Sequence, residues 1–503
     1  MTKLYELFAG LPVRIDGPDV DVTALACDSR RVVAGACFAA LPGARADGHA
    51  FVTQALERGA ASVLCERLVE HGRATEVLAA NTRLVLAQAA RRFFGDPSRA
   101  LCMIGITGTK GKTTTSYLVE AVLAAAGRTP GVVGTLGYRY LAQHASTGLT
   151  TPESVDLVAL LAKMVAADVQ AVAMEVSSHA LAQQRVSGVD FDVAVFTNLA
   201  LDHLDYHGTM DAYFEAKRLL FTARRKAGGK VVTNIDDAYG ARLFGGGAIG
   251  YSAAGAAAAD VATATLHLGT SDTELSVRTP RGLLELRSPL VGRFNVDNIL
   301  AAVAVGEALG LPHAAVARGV AALRAVPGRL ERVSERGEPV VIVDYAHTPD
   351  SLEKVLAAVR AFTRGRLLCV FGCGGDRDTS KRARMGEIVA RAVDWAVLTN
   401  DNPRSEPPEA IAAAVEQGLR AGGAAPSARP NKGGYRVELD RALAIRLAVG
   451  AAELDDAVVV AGKGHETYQI IGSETRHFDD REEARAALAE RRRGALPRGS
   501  EAI

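Results

Sequence analysis

The stretch Gly105–Gly127, GITGTKGKTTTSYLVEAVLAAAG, decides how this chain folds. It continues the apolar run CMIGIT (102–107) and reads as a strand end, a glycine-rich loop and an amphipathic helix stopped by Gly127. A loop that opens a helix in this way aims several backbone N–H groups at one point, a nest for phosphate oxygens. Gly108, Thr109, Lys110, Gly111, Lys112, Thr113 and Thr114 are the candidate phosphate contacts. Lys112 is placed to reach the terminal phosphates, and the Thr113 hydroxyl suits a magnesium ion. The usual spacing, G-x4-GK[ST], wants glycine where Ile106 stands, and Gly105, Gly108 and Gly111 give G-x2-G-x2-GK instead. The loop predicts binding of ATP or GTP. It names no reaction, because motors, kinases, transporters and ligases share it.

The same pattern of apolar strand, polar loop and helix recurs. It is seen at AVAMEVSS (171–178), VAVFTNL (193–199), VVIVDYA (340–346), LLCVFGCGG (367–375), WAVLTN (395–400) and AVVVAGKG (457–464). Fully apolar strands separated by helices predict parallel sheets covered on both faces, the α/β class, with ligands at the strands' carboxyl ends. Gly95-Asp96-Pro97-Ser98 and Pro327-Gly328-Arg329 interrupt the pattern. They predict three domains, 1–98, 99–330 and 331–503, a division in keeping with 503 residues. The basic tail RRRGALPRGS (491–500) reads as frayed.

Composition narrows the class. With 48% hydrophobic residues, 23% charged residues and a net charge of +1, the chain has a normal core and no field that would gather nucleic acid or an anionic membrane. Six cysteines without CxxC pairs or metal-ligand spacing fit a reducing, cytoplasmic setting. No run approaches membrane-spanning length, so no membrane anchor is expected.

Two further loops carry chemistry. MEVSSH (174–179) and TNLALDHLDYH (197–207) bring Glu175 and His203 to carboxyl ends beside the phosphate loop, where a carboxylate and an imidazole read as metal ligands. The bland alternative for His203 is a polar surface loop. In DAYFEAKRLLF (211–221), helical spacing puts Lys217 on one face with Phe214 and Phe221. A buried lysine has a depressed pKa and a reactive neutral amine, which can take up carbon dioxide as a carbamate. A snorkelling lysine with its head in water is the alternative, and these residues alone favour it.

GITGTKGKTTT, MEVSSHAL, FTNLALDHLDYHG, YFEAKRLLF, GRFNVDNILAA, VPGRLERV, DYAHTPDSL, GCGGDRD, DNPR and AGKGHE stand in that order over most of 105–470. Together with CDSRRVVAGACFAALPGARADGHAF (27–51), they resemble the Mur ligase family of ATP-dependent amide-bond synthetases of peptidoglycan assembly. The resemblance implies three α/β domains: an N-terminal UDP-binding domain, a central P-loop ATPase with a parallel sheet, and a C-terminal domain of dinucleotide-fold-like topology. It implies that ATP phosphorylates the D-glutamate carboxylate of UDP-N-acetylmuramoyl-L-alanyl-D-glutamate, and that an amine then attacks the acyl phosphate. It makes Lys112, Glu175, His203 and Lys217 the catalytic set. Thr113, Glu175, His203 and Lys217, the last as N6-carboxylysine formed from carbon dioxide, become Mg2+ ligands.

By the same resemblance Asn295, Asn298, Arg329 and Asp344 contact ATP. Ser29, Thr150, Thr151, Ser177, Gln183 and Arg185 hold the UDP-muramoyl dipeptide, with Ser29 towards the uridine. Leu149 departs from the pattern, since some relatives have a polar Asn there. From the residues alone, Asn295 would be a helix cap and Arg329 a surface arginine.

LTNDNPRSE (398–406) then takes on meaning. Family members differ in adding meso-diaminopimelate or L-lysine, and only the former has a second carboxylate. A bidentate arginine rewards that carboxylate, and left unpaired in a dry pocket it penalises lysine. In the family DNPR goes with diaminopimelate and the lysine-adding relatives lack this arginine, so the resemblance implies diaminopimelate, held by Arg377, Asp401, Asn402, Pro403, Arg404, Gly462 and Glu466, with Glu466 on the distal ammonium. The plain alternative is a turn in which Arg404 caps or pairs with Glu406. A lysine-adding ligase, a folylpolyglutamate synthase and a non-catalytic nucleotide-binding regulator remain as other readings; a monomer is expected.

Overall fold

The computed structural model describes residues 2–43, 46–70, 72–269, 272–335 and 337–494, so the end of the basic tail, including Ala495–Ser500, lies outside the described residues. Two compact units result. One runs to Leu266 and adds Leu275–Leu286 and Phe294–Ala322; the other takes His267–Glu274, Arg287–Arg293 and the chain from Leu323.

The first unit begins with a five-stranded sheet in the order Val13–Asp16, Thr75–Ala79, Ser62–Cys65, Ala36–Ala39, Ala24–Ala26. Only the first pair is antiparallel. Asn81 caps the helix Thr82–Phe93 by accepting from Leu84 N at 3.0 Å. That helix contributes Val85, Leu86, Ala89 and Ala90 to a core that continues through Leu157, Met174 and Phe196. The first 98 residues thus have their own sheet and share one hydrophobic core with the segment that follows.

That segment builds a parallel sheet ordered Pro130–Gly134, Ala171–Glu175, Cys102–Thr107, Phe191–Phe196, Arg225–Asn234, Ile249–Ser252. The strand feeding the glycine-rich loop is central. Registers Glu175↔Ile106 and Phe196↔Thr107 put the loops after all three middle strands on one edge. The hydrophobic strand interiors are covered on both faces, as their unbroken apolar runs predict.

In the second unit the sheet order is Glu331–Arg332, Val340–Asp344, Ala457–Ala461, Leu367–Phe371, Trp395–Leu398, Gly434–Val437, Ala425–Pro426, parallel except for the first pair. The strand Ala457–Ala461, late in the chain, is inserted between the first two long strands. Its carboxyl-end loop, GKGHE, is thereby flanked by those of DYAH and GCGGD, with DNPR one strand further. Such breaks in strand order are where α/β sheets bind ligands. Among the described residues, no helix is long and apolar enough to cross a membrane.

Candidate active site

The phosphate loop has the local structure its glycines allow. Gly108 (φ 150°) and Gly111 (φ 85°) occupy backbone regions that L side chains rarely adopt. A Cβ on Gly108 would lie 1.9 Å from Thr197 Oγ1, and one on Gly111 2.4 Å from Asn298 Oδ1. Gly105, by contrast, sits inside the strand, where a Cβ would meet Phe191 Cδ1 at 2.7 Å. The glycines at 108 and 111 shape the loop, and the one at 105 admits an aromatic ring.

The neighbouring strand end holds the loop's far side. Asn198 accepts from Thr109 N through its carbonyl and from Lys110 N through Oδ1, both at 2.9 Å, and Thr197 Oγ1 donates to the Lys110 carbonyl at 2.7 Å. Lys112, first residue of the helix Lys112–Ala125, folds its amine back to the carbonyls of Gly108 (2.9 Å) and Thr109 (3.0 Å). Thr113 and Thr114 are buried at the helix start. Asn295 lies inside the first turn of Arg293–Ala308 and is not its cap; its Oδ1 accepts from Asn298 Nδ2 at 3.0 Å, and Asn298 Oδ1 accepts from Thr115 Oγ1 at 3.2 Å.

Glu175 is 1% exposed, and Thr135 clamps its carboxylate: the amide donates to Oε1 at 2.9 Å and the hydroxyl to Oε2 at 3.0 Å. Thr135 Oγ1 also meets Thr150 Oγ1 at 3.1 Å. Thr151 donates to the Glu175 carbonyl (2.9 Å) and accepts from Ser177 N (3.1 Å), so it sets the turn that presents Ser177. Arg185 joins this group by donating to the carbonyl of Thr151 and to Gln183 Oε1, with its Nε 3.0 Å from Glu153. Ser29 is buried, and its hydroxyl donates to Gln54 at 2.6 Å.

His203 stands in the left-handed region (φ 54°), its ring edge-on to His179 at 4.9 Å and 5.9 Å from the Tyr213 ring. Burial, with Lys112 and Lys217 behind it, pushes its pKa down against the pull of Asp202, which keeps the imidazole neutral and able to donate a lone pair. Lys217 is 1% exposed, and its amine donates to the Gly108 carbonyl at 2.9 Å and lies 4.6 Å from the Tyr213 ring centre. The snorkelling alternative fails: the head is inside. Burial first, then Lys112, hold its pKa well below the usual lysine value.

In the second unit the DNPR loop is braced from three sides. Asn402 is 2% exposed, donates to Glu466 Oε2 at 2.9 Å and accepts at Oδ1 from Lys463 Nζ and Ile470 N, both at 3.0 Å. Arg404 is left-handed (φ 53°) and donates to the carbonyl of Gly375 at 2.7 Å. Glu406 is taken by Arg382 at 2.8 Å, so the pairing of Arg404 with Glu406 is not formed. Pro403 is buried against the glycine turn, where a Cβ on Gly375 would meet its carbonyl oxygen at 1.9 Å. Arg377 is exposed. Burial and the facing Asp401 raise the Glu466 pKa, while Lys463 and Asn402 oppose them. Gly462 (φ 122°) lies close to the Asp401 carboxylate.

Arg329 and Asp344 lie on neighbouring loops of this unit, joined through Leu330 and Tyr345. Asp344 Oδ2 accepts from Leu330 N at 2.7 Å, and the Arg329 guanidinium lies 4.7 Å from the Tyr345 ring centre. Gly328 and Gly464 let these loops touch, since a Cβ on Gly328 would reach His465 N at 2.1 Å.

Sequence models of the Mur ligase catalytic domain, middle domain and glutamate ligase domain match residues 21–99, 106–306 and 328–464. The UDP-N-acetylmuramoyl-L-alanyl-D-glutamate--2,6-diaminopimelate ligase of Synechococcus elongatus is 47% identical, over 97% of this chain and 99% of that protein. This chain belongs to the Mur ligase family. The same-named ligase of Streptomyces coelicolor is also 47% identical, over 97% of this chain and 96% of its own length. A solved structure of a ligase of that name superposes with a TM-score of 0.69 at 33% identity, covering 98% of this chain and 99% of that one. The three-domain α/β architecture is that of the Mur ligases.

Several residues of this Mur ligase's site escaped the sequence. Thr135 lies 40 positions from the glutamate it holds, and only its place after the strand Pro130–Gly134 hinted at a role. Lys463 is 0% exposed, a burial that its place in the glycine-rich GKGHE loop does not reveal. Arg441, also 0% exposed, forms a two-pronged pair with Asp480 and donates to the carbonyls of Asn400 and Ala461, tying together the starts of the DNPR and GKGHE loops.

Proposed function

We propose that this chain is the ATP-dependent ligase that adds meso-2,6-diaminopimelate to UDP-N-acetylmuramoyl-L-alanyl-D-glutamate in peptidoglycan precursor synthesis. The observation that carries this is identity of 44–47% across more than nine-tenths of the chain to relatives bearing that name. The DNPR loop, with Arg404 set in a buried polar framework, is consistent with it.

The chemistry follows from charge. A carboxylate is a poor electrophile, so the D-glutamate oxygen attacks the γ-phosphorus of ATP, releases ADP and becomes an acyl phosphate. The diaminopimelate amine attacks the acyl carbon, a tetrahedral intermediate forms, and loss of phosphate and a proton leaves the amide. Lys112 and the loop amides from Gly108 to Thr114 neutralise and orient the phosphates. Asn295, Asn298, Arg329 and Asp344 serve the rest of the nucleotide. Thr150, Thr151, Ser177, Gln183 and Arg185, with Ser29 at the uridine end, hold the UDP-muramoyl dipeptide; Leu149 adds no polar contact.

Thr113 and Glu175 offer the oxygen donors Mg2+ prefers, and the neutral His203 a nitrogen. Among the described residues no three His, Cys, Asp or Glu side chains gather into a metal cage. That suits an ion delivered on nucleotide phosphates with its own waters. Bound there, Mg2+ would neutralise charge on the transferring phosphoryl group. Lys217 as N6-carboxylysine would give a further oxygen donor. Its buried, neutral amine is the species that attacks carbon dioxide, losing a proton as the carbamate forms. A cytoplasmic location is consistent with that role.

The test is phosphate release from ATP with the UDP-muramoyl dipeptide, in separate tubes with meso-diaminopimelate or L-lysine, the product being checked by mass. Turnover with diaminopimelate alone is expected. Turnover with lysine would keep the ligase and overturn the reading of DNPR; silence in both would return the folate relative or the regulator.

A further inference from the structure

The DNPR and GKGHE loops share an ionic arrangement that the sequence motifs do not explain. Asp401 and Glu466 are both at least half-buried and face each other closely enough for Asp401 to raise the Glu466 pKa. Two carboxylates in such a place repel, and Glu466 is the one whose pKa is raised, by burial first and then by Asp401. The chain puts one cation of its own between them. Lys463 Nζ lies 3.0 Å from Asn402 Oδ1, 3.4 Å from Glu466 Oε2 and 3.5 Å from Asp401 Oδ1, with none of its surface exposed.

The charges then count. With Arg441 balanced by Asp480, two carboxylates and the Lys463 ammonium leave one negative charge over, matched to one incoming ammonium. The hydrogen bonds count in the same way. Asp401 Oδ1 is buried and makes no hydrogen bond, its ion pair with Lys463 Nζ being long at 3.5 Å. A buried acceptor without a donor is costly, and a ligand N–H would satisfy it. Asn402 is fully committed: Lys463 and Ile470 N fix its oxygen, so its amide is turned to Glu466 and not the reverse.

We propose that Lys463 is a positioning residue for the added amino acid: it offsets one of the two pocket carboxylates and orients Asn402 and Glu466, which leaves Asp401 Oδ1 open to the distal ammonium of diaminopimelate. This rests on the reading of Asp401, Asn402 and Glu466 as the amino-acid site. Lys463 does not touch the reacting atoms. Its removal acts on affinity for one substrate.

The experiment is steady-state kinetics on the full chain carrying Lys463→Met, with KM measured for each of the three substrates and folding followed by thermal melting. The KM for diaminopimelate should rise at least tenfold, with those for ATP and the UDP-muramoyl dipeptide within twofold of wild type and kcat changed less than fivefold. A diaminopimelate KM within twofold of wild type, or equal rises in all three KM values, overturns the proposal. If Lys463→Met does not melt cooperatively, Lys463→Gln takes its place; it keeps a donor for Asn402 without the charge, and the same criteria apply. Glu466→Gln, run in parallel, separates the two levels. If it leaves the diaminopimelate KM unchanged, the site assignment itself falls. If it raises that KM while the lysine variant does not, only the role of Lys463 falls.

Discussion

Lys112 and Lys217 donate to the same acceptor, the carbonyl oxygen of Gly108, each at 2.9 Å. Two ammonium groups at one carbonyl would repel, and the buried one yields: burial and Lys112 together hold Lys217 well below the ordinary lysine pKa. Lys217 is thereby the amine of the two that burial drives towards its neutral form.

Carbon dioxide is the reagent that tests this amine. Activity should fall when dissolved carbon dioxide and bicarbonate are stripped out and should return on their addition, and a 13C carbamate signal present in wild type should be missing from Lys217→Met. That variant should lose at least a hundredfold in kcat, about 2.7 kcal/mol of transition-state stabilisation. It should melt no lower than wild type. The unfolded lysine is protonated below about 10.4, and the folded one stays neutral down to its lowered value. The unfolded state therefore binds more protons, and this residue's penalty on stability shrinks as pH rises towards the unfolded value. Unchanged activity in Lys217→Met would remove the residue from the chemistry.

The pair Arg441–Asp480 concerns stability. Both side chains are 0% exposed, two hydrogen bonds of 2.7 Å join them, and the guanidinium also holds the carbonyls of Asn400 and Ala461. Removing one partner leaves a buried charge without compensation, at a cost of about 3–5 kcal/mol. Asp480→Asn should therefore lower the denaturant midpoint markedly and raise the diaminopimelate KM as well, since both loops start at those carbonyls. A midpoint equal to wild type would show that the interior there is wetter than the burial indicates.

These residues also mark what the sequence could and could not express. The phosphate loop was legible because its chemistry is local: glycines, a lysine and a threonine within a few positions impose one backbone. The burial face of Lys217 was legible from its spacing with Phe214 and Phe221, but its depth was not, because snorkelling depends on what packs above the helix. Glu175 with Thr135, Asn402 with Lys463, and Arg441 with Asn400 and Ala461 join segments brought together only by strand order. The insertion of Ala457–Ala461 into the middle of its sheet is a topological fact that no local pattern carries.

Arg404 tests specificity. Its backbone is held in the left-handed region, its amide donates to Ile470 O at 3.1 Å, and one guanidinium nitrogen is engaged by Gly375 O, so the side chain is held in place. Arg404→Lys keeps the charge and loses the planar fork. The diaminopimelate KM should rise about tenfold to a hundredfold, roughly 1.5–3 kcal/mol for a charge-assisted bond, with the ATP KM unchanged. Direct competition between diaminopimelate and L-lysine reads the same effect as a narrowed preference. An unaltered preference would mean that another group reads the second carboxylate.

Glu466 sets the acid limb. Burial first, then Asp401, raise its pKa above the ordinary carboxylate value, against the pull of Lys463 and Asn402. Only the ionised form attracts the distal ammonium, so the diaminopimelate KM should climb as pH falls through that raised value, while the ATP KM stays level. In Glu466→Gln the KM should be high throughout and this pH dependence should vanish, because no titrating carboxylate is left at the position. Stability should move in the opposite sense. A carboxyl whose folded pKa is raised binds more protons folded than unfolded between the two values, so its contribution to folding is lost as pH rises through that interval. A variant that kept the wild-type acid limb would show that the titration seen in the diaminopimelate KM does not belong to Glu466.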